Sequence, residues 1–407
     1  MEAIDLIAKP FFFEFVAQHA AADPARLVLE AHRYPHVPMR EAAEQVAARQ
    51  KAKLKLPSWH AHPEVLFAPS LGMEQCSSEA SARYKAQLLA GQSLVDLTGG
   101  LGVDTWAFAQ HFGQVAYVEP QPGLCALARH NFPRLGVGHV AVHQAGAGDF
   151  LDSCPTVDVI YLDPARRNLA GQRVARLADC EPDLAALWPQ MAQKTSQILI
   201  KTAPLLDLGA GLAELATFAP GWVREVLVVA VDGEVKEVLY LLGRPPGPAE
   251  PLIRAVNLAG TATEFAFARS EEAGAVAPLH PPDTYIYEPN AAVLKAGAFK
   301  LVAQRFGLAK LHPHTHLYTA PGWVDGFPGR AFRLQAVAKP DKKALAALVP
   351  AGQAHLTTRN FPLSVAQLRQ QVGLREGGDT YLFATTLADQ RKVVLVCQKV
   401  GAPPVQP

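Results

Sequence analysis

Along the first 90 residues, apolar positions recur at helical spacing and prolines break the pattern into pieces. Met39–Lys55 is the longest such stretch, bounded by Pro35 and Pro38 before it and by Pro57, Pro63 and Pro69 after it. Another helix is expected from Ser77 or Ser78, either of which can cap it, to position 90, where Gly91 stops it. At Ser93 the pattern changes. SLVDL, QVAYVE, HVAVHQA, VDVIYLD and SQILIKT are short apolar runs, each ending in a polar or glycine-bearing turn, with helical stretches between several of them. Strands alternating with helices predict an α/β fold with a parallel sheet covered on both faces. VREVLVVAVDGEVKEVLYLLGR then reads as two strands joined at Asp232-Gly233, a strong hairpin signal. A proline-rich linker, GRPPGPAEP at 243–251, marks a domain boundary. Beyond it, 252–268 reads as two strands and 290–307 as one helix. The end of the chain reads as strand 331–338, helix 341–348, strand 353–358, helix 364–371 and strands 379–386 and 391–399, a small α+β module. The expected domains are a helical region 1–90, a Rossmann-like domain 91–245, a segment 246–328 and a module 329–407.

Composition narrows this picture. A chain of 407 residues exceeds one ordinary core, so two or three domains are expected. Its 49% hydrophobic and 18% charged residues suit a globular protein. With 38 Lys and Arg against 37 Asp and Glu, no global basic field points to nucleic acid, and such a partner needs a local patch. The five cysteines, Cys76, Cys125, Cys154, Cys180 and Cys397, are odd in number and form no CxxC pair. That argues against a disulfide framework or a structural zinc and suits a reducing cytosol. The N-terminus lacks the basic start and apolar run of a signal peptide, and no stretch approaches the roughly 18 apolar residues of a membrane span. The expectation is a cytoplasmic protein with no membrane contact and no metal.

The strongest candidate site is DLTGGLGVD at 96–104. An apolar strand ends in Asp96, and Thr98, Gly99, Gly100 and Gly102 lead into a helix. Glycines let the backbone approach a ligand closely, and the helix start offers free N–H groups. Alone, such a loop suits a dinucleotide or S-adenosylmethionine equally, and a plain strand-to-helix turn is its bland alternative. Glu119 ends the second strand, 23 residues after Asp96, where an acid accepts hydrogen bonds from both ribose hydroxyls. The dinucleotide pattern G-x-G-x-x-G fails, because Thr105 stands at its third glycine. Five parallel strands closed by an antiparallel hairpin match class I methyltransferases, whereas dinucleotide dehydrogenases usually keep a parallel sheet. Asp149, after the third strand, sits where such enzymes hold the adenine amino group; a surface aspartate is the alternative.

The fourth strand ends in Asp163-Pro164, followed by Ala165, Arg166 and Arg167, at the ligand edge of the sheet. Methyl transfer is an in-line displacement that mainly requires a positioned nucleophile. A carboxylate and a backbone carbonyl taking the two hydrogens of a conjugated amine would aim its lone pair at the methyl group. Many amino-methyltransferases follow Asp/Asn-Pro-Pro with Tyr, Phe or Trp, which stacks the flipped base. Here Ala165 and Arg166 occupy those places, so the stacking residue is missing and the base-methylation reading loses force; Arg166 is a candidate for holding a phosphate or for stacking as a guanidinium plane. Lys201, ending the fifth strand, is either a substrate-anion contact or an ordinary strand-end lysine. No cysteine lies near enough for a uridine C5 mechanism.

Together these strings resemble the bacterial class I methyltransferases with a C-terminal THUMP-like domain preceded by a ferredoxin-like segment. The matching stretches are EQCSSEASARYKAQL, DLTGGLGVDT, YLDPARR, IKTAPLLDL, YEPNAAVLKAGAF, HLYTA, FPGRAF and TRNFPLS. The resemblance implies S-adenosylmethionine as cofactor and, through the THUMP-like domain, points to RNA binding without fixing a substrate; structured RNA is the expected partner. It also implies that Gln75, Ser77 and Ser78 form an element closing over the cofactor's methionine part; a helix start packed on the sheet is the alternative. The expected activity is N-methylation of an RNA base, with Asp163 and Pro164 catalytic and Arg166, Lys201, Arg330 and Arg359 on the substrate. The alternatives are a methyltransferase for a small molecule or protein side chain, and a non-catalytic RNA-binding protein of this fold. Arg330 and Arg359 lie beside aromatics, as on an RNA surface, although salt-bridged surface arginines look the same. His312, His314 and His316 alternate as on one strand face, but Pro313 interrupts any strand and no carboxylate is near. Glu288 and Asn290 read as a helix cap.

Overall fold

The apolar runs from Ser93 onward form five parallel strands: β1 (Ser93–Asp96), β2 (Gln114–Val118), β3 (Ala141–His143), β4 (Val159–Leu162) and β5 (Gln197–Thr202). All four residues of β4 and the last five of β5 are buried, which is why these strands read as unbroken apolar runs. The hairpin follows as β6 (Val223–Val231) and β7 (Glu234–Gly243). Its turn residues Asp232 and Gly233 have φ of 51° and 82°, the conformation that made Asp-Gly legible. The order is β3-β2-β1-β4-β5-β7-β6, with β7 antiparallel to β5 from Gln197 opposite Gly243 to Thr202 opposite Val238. Strand order therefore reverses between β1 and β4, and the carboxyl ends there open the crevice in which such sheets bind ligands. The computed structural model describes residues 7–68, 70–165, 176–245, 247–260 and 262–401.

The chain divides into two units, 1–226 with 237–249, and 227–236 with 250–407. In the first, helices Pro10–Gln18, Pro24–Leu29 and Met39–Lys55 share a core of Phe12, Phe15, Val16, Leu27, Ala42 and Val46. Asn131, on the helix Pro122–Arg134, fastens this region by bonding the N–H and carbonyl of Leu66 at 2.9 and 2.8 Å. Arg49 is buried and donates to the carbonyls of His60, His62, Pro63 and Val65, so one side chain shapes the connecting loop. The helix expected from 77 or 78 is Glu79–Gln87, with Ser78 accepting from the Ser81 N–H.

Besides 227–236, the second unit holds the pair β8 (Leu252–Asn257) and β9 (Thr263–Ala268). It continues with β10 (Tyr285–Pro289), β11 (Ala309–His312), β12 (Thr315–Ala320), β13 (Gly329–Ala338), β14 (His355–Arg359), β15 (Thr380–Thr386) and β16 (Lys392–Val400). These seven run in the order β11-β12-β10-β13-β16-β15-β14. Helices Lys342–Leu348 and Val365–Val372 contribute Leu345, Leu368 and Val372 to a core over Leu382, Ala384, Val394 and Val396. The opposite face carries Ile286, Leu317, Phe332, Phe383 and Leu395. The sheet curls over that face, for the Thr315 and Thr385 hydroxyls meet at 3.1 Å and Ala388 N–H donates to the Leu311 carbonyl at 2.9 Å. Two expectations need correction. The single helix at 290–307 is two, Ala291–Ala296 and Leu301–Phe306, because Gly297 takes φ of 84° and ends the first. The pattern also missed β10, β11 and β12, short strands beside Pro289 and Pro313. Among the described residues no helix is long and apolar enough to cross a membrane, and all five cysteines are free.

Candidate active site

Two glycines of the 96–104 loop are fixed by packing and the third by open space. A Cβ on Gly99 would lie 2.3 Å from the Tyr117 ring, and one on Gly102, at φ of 78°, would lie 2.7 Å from Phe132. Gly100, at φ of 51°, faces open space, with only the Thr98 carbonyl at 3.7 Å. Tyr117 braces the loop by donating to the Gly100 carbonyl at 2.6 Å. Glu119 accepts from the N–H groups of Gly100 and Gln121, each at 3.0 Å. The loop is a cradle, packed at its shoulders and clear in its middle, with a carboxylate at its rim.

Asp96 is buried and accepts from the Thr98 N–H at 3.0 Å and the Thr105 hydroxyl at 2.6 Å. Burial pushes its carboxyl up to about 7; the two threonine bonds pull it back in part, and Asp104 and Asp163 push it further. Because the folded value exceeds the ordinary 3.8, the fold loses stability as pH rises from about 4 through about 7. The loss totals roughly 4 kcal/mol, at 1.36 kcal/mol per unit. Asp96→Asn is expected to resist urea better than the parent at pH 8 and equally near pH 4. Equal midpoints at pH 8 would show that ionised Asp96 costs the fold nothing.

Thr98 links this loop to the next strand end, because its hydroxyl accepts the Asp163 N–H at 2.6 Å. The Asp163 side chain is about a third exposed and forms an ion pair with Lys201, whose ammonium is buried at the end of β5. Behind Lys201 lies a network that the sequence pattern did not mark. Lys201 donates to the Ser77 hydroxyl at 3.2 Å and lies 3.9 Å from Asp104. Asp104 accepts from Ser77 at 2.8 Å and from the Tyr161 hydroxyl at 2.7 Å. Lys85, 0% exposed, lies 3.1 Å from Asp104 and donates to both Glu237 oxygens at 3.0 and 2.7 Å. It also donates to Ser77 at 3.1 Å. Burial opposes the Lys201 charge, but Asp163, Asp104 and Glu237 outweigh it and hold the ammonium well above the usual lysine range. Burial likewise opposes the Asp104 charge, and Lys85 with Lys201 draws that carboxyl below its ordinary value.

The expected site residues thus fall into three groups. Asp96, Thr98, Gly99, Gly100, Gly102, Glu119, Asp163, Lys201 and Ser77 are joined by packing or hydrogen bonds around the sheet edge, with buried Pro164 next to Asp163. Ser77 uses its hydroxyl inside the network, and Ser78 caps a helix. Gln75 and Asp149 are exposed, on the last turn of Ser70–Gln75 and the first of Ala147–Ser153. Among the described residues neither hydrogen-bonds to the first group. Arg166 lies outside the described residues. Arg330 and Arg359, in the second unit, both pair with the buried carboxylate of Glu288, Arg359 at 2.9 Å. Arg330 also lies 5.4 Å from the Phe332 ring and 5.9 Å from Tyr381. Asn290 caps the helix Ala291–Ala296, whereas Glu288 serves the arginines. The three histidines do not share a strand face, since Pro313 and His314 form the turn between β11 and β12. His312 accepts from the His314 N–H at 3.0 Å, and His316 stacks on Phe299 at 3.7 Å, where burial pushes it down to about 4. Among the described residues no cluster of three or more His, Cys, Asp or Glu is arranged to hold a metal.

A family profile of a ferredoxin-like domain matches residues 285–328, and one described as THUMP domain-like matches 329–399. A crystal structure from Porphyromonas gingivalis W83, described as a methyltransferase, is 35% identical. The match covers 98% of both chains with a TM-score of 0.83. Proteins from two Mycobacterium tuberculosis strains, named as S-adenosylmethionine-dependent methyltransferases, are 24% identical over 308 residues. Those matches cover 74% of this chain and 80% of theirs.

Proposed function

Because this chain belongs to the family of S-adenosylmethionine-dependent methyltransferases with C-terminal ferredoxin-like and THUMP-like domains, we propose that it is a cytoplasmic enzyme methylating structured RNA. S-adenosylmethionine supplies an electrophilic methyl group on a sulfonium. The residues present fit it: Gly100 leaves room at the middle of the cradle, and Glu119 keeps lone pairs for ribose hydroxyls while bonding two N–H groups. Asp96, Thr98, Gly99 and Gly102 shape the pocket, and Asp149 is the candidate for the adenine amino group. Gln75, Ser77 and Ser78 stand before β1, with Ser77 supporting the acceptor side through Lys201. Asp163 is the catalytic residue, and Pro164 fixes the backbone beside it.

One observation carries the RNA reading. Residues 285–399 hold 15 Lys and Arg against 6 Asp and Glu, a balance of +9. The rest of the chain holds 23 against 31, or −8, and the two sum to the overall +1. The near-neutral total conceals a basic C-terminal part that is suited to phosphates. Within it, Arg330 and Arg359 share one carboxylate and keep a surplus positive charge, with Arg330 partly exposed.

Filter binding of the full-length protein to total small RNA tests this reading. Affinity is expected to fall steeply between 50 and 200 mM salt, by orders of magnitude if several phosphates are contacted. Arg330→Gln is expected to flatten the slope of log affinity against log salt by about 1. Affinity insensitive to salt, or absent, would turn the search to small-molecule or protein acceptors.

A further inference from the structure

We propose that the Lys201–Asp163 pair selects a hydroxyl, the 2′-hydroxyl of an RNA ribose, as the methyl acceptor instead of an amine on a base. The inference rests on the RNA reading and specifies its acceptor atom.

Hydrogen-bond complementarity carries it. A conjugated amine brings two hydrogens and no available lone pair, so its site must offer two acceptors and no facing donor. Lys201 is a donor-only group, and it has two partners within hydrogen-bond distance, Ser77 and Asp163. Its third N–H has no acceptor among the described residues. Asp163 gives one oxygen to Lys201, and its other oxygen accepts nothing among the described residues although the side chain is about a third exposed. Among the described residues the pair thus leaves one Asp163 oxygen and one Lys201 N–H without a hydrogen-bond partner, Asp104 standing 3.9 Å from the ammonium. A hydroxyl, with one hydrogen and free lone pairs, matches both; an amine meets an ammonium where it needs an acceptor.

The chemistry balances in the same way. As the hydroxyl oxygen bonds to the methyl carbon, the carbon–sulfur bond breaks and its electron pair stays on sulfur, which loses its positive charge. The hydroxyl proton passes to Asp163 and from there to water. Negative charge building on the oxygen lies beside the Lys201 ammonium, a fixed charge in a water-poor setting. Against its burial, that ammonium stays protonated because Asp163 faces it and Asp104 and Glu237 stand behind it, and Lys85 holds those last two in place. Lys85 and Glu237, almost wholly buried, position the pair without reaching substrate. A ribose hydroxyl also needs no base turned out of its stack, which fits Arg166 standing in the sequence where base methylation calls for an aromatic.

The test uses full-length protein, methyl-tritiated cofactor and total small RNA from a strain lacking this protein, followed by alkaline hydrolysis. Alkali cuts RNA through attack of a free 2′-hydroxyl on the adjacent phosphate, so a 2′-O-methyl group protects its own linkage. Label is expected in alkali-resistant dinucleotides. Label in mononucleotides would overturn the hydroxyl assignment while leaving the RNA reading standing. No label in RNA from protein shown to bind S-adenosylhomocysteine would overturn the RNA reading and this inference with it. Lys201→Gln is expected to lose about 10²–10³-fold in labelling. Calorimetry with S-adenosylhomocysteine should give it parental affinity, showing that the fold and cofactor site are intact. Parental labelling by Lys201→Gln would remove Lys201 from the mechanism.

Discussion

Asp163→Ala is expected to lower methyl transfer about a thousandfold while leaving cofactor affinity within a few-fold of the parent. The two effects separate because Asp163 faces the cradle through its backbone and Lys201 through its side chain. Its N–H donates to Thr98, and alanine keeps that bond. Its carboxylate pairs with Lys201, and alanine removes both the proton acceptor and the partner of a buried ammonium. Single-turnover labelling paired with calorimetry reads each effect independently. Affinity that fell in step with the rate would mean that the carboxylate shapes the cofactor site, and the catalytic assignment would be wrong. Asp163→Asn keeps the shape and drops the charge, so it should be nearly as inactive.

The largest stability effect is expected at Lys85. Lys85→Met strands Glu237, only 1% exposed, without a counter-ion and weakens the hold on Asp104. Breaking a buried pair from one side typically costs about 3–5 kcal/mol, because the remaining charge stays desolvated. Replacing both partners removes that penalty, so Lys85→Met with Glu237→Leu should recover most of the loss. Urea midpoints for the two single variants and the double complete the cycle. Additive losses would mean that the residues act separately and that the pair does not organise this part of the core.

The first sheet was legible because parallel strands buried on both faces must be apolar throughout, and β4 and β5 are. The hairpin was legible because Asp232 and Gly233 are residue types that tolerate positive φ. Strands β10 to β12 were not, because Tyr285–Pro289 and Ala309–His312 are short, carry polar residues and abut prolines that read as loop. The site divides in the same way. Asp96, the glycines, Glu119 and Asp163 stand at the ends of β1, β2 and β4, which are neighbours in the sheet, so topology alone brings them to one edge. Lys85, Asp104 and Glu237 are drawn together from a helix before the sheet, a helix within it and a late hairpin. Glu237 follows Lys236 directly in EVKEV, on the strand face of Val235 but within a charged run that reads as solvated, and Lys85 sits in a helix that is polar overall. The available signal was a charge at a position where the periodicity points inward, and it was too weak to separate from a surface pair.

Ser77 and Lys85 precede β1, yet they complete the electrostatics of residues at the ends of β4 and β5. The smallest piece of this enzyme that could be inherited or transplanted as a working cassette therefore starts upstream of its first strand. A recombination joint placed at Ser93, where the Rossmann-like pattern begins, would carry off every glycine of the cradle and leave behind a lysine that neutralises its interior.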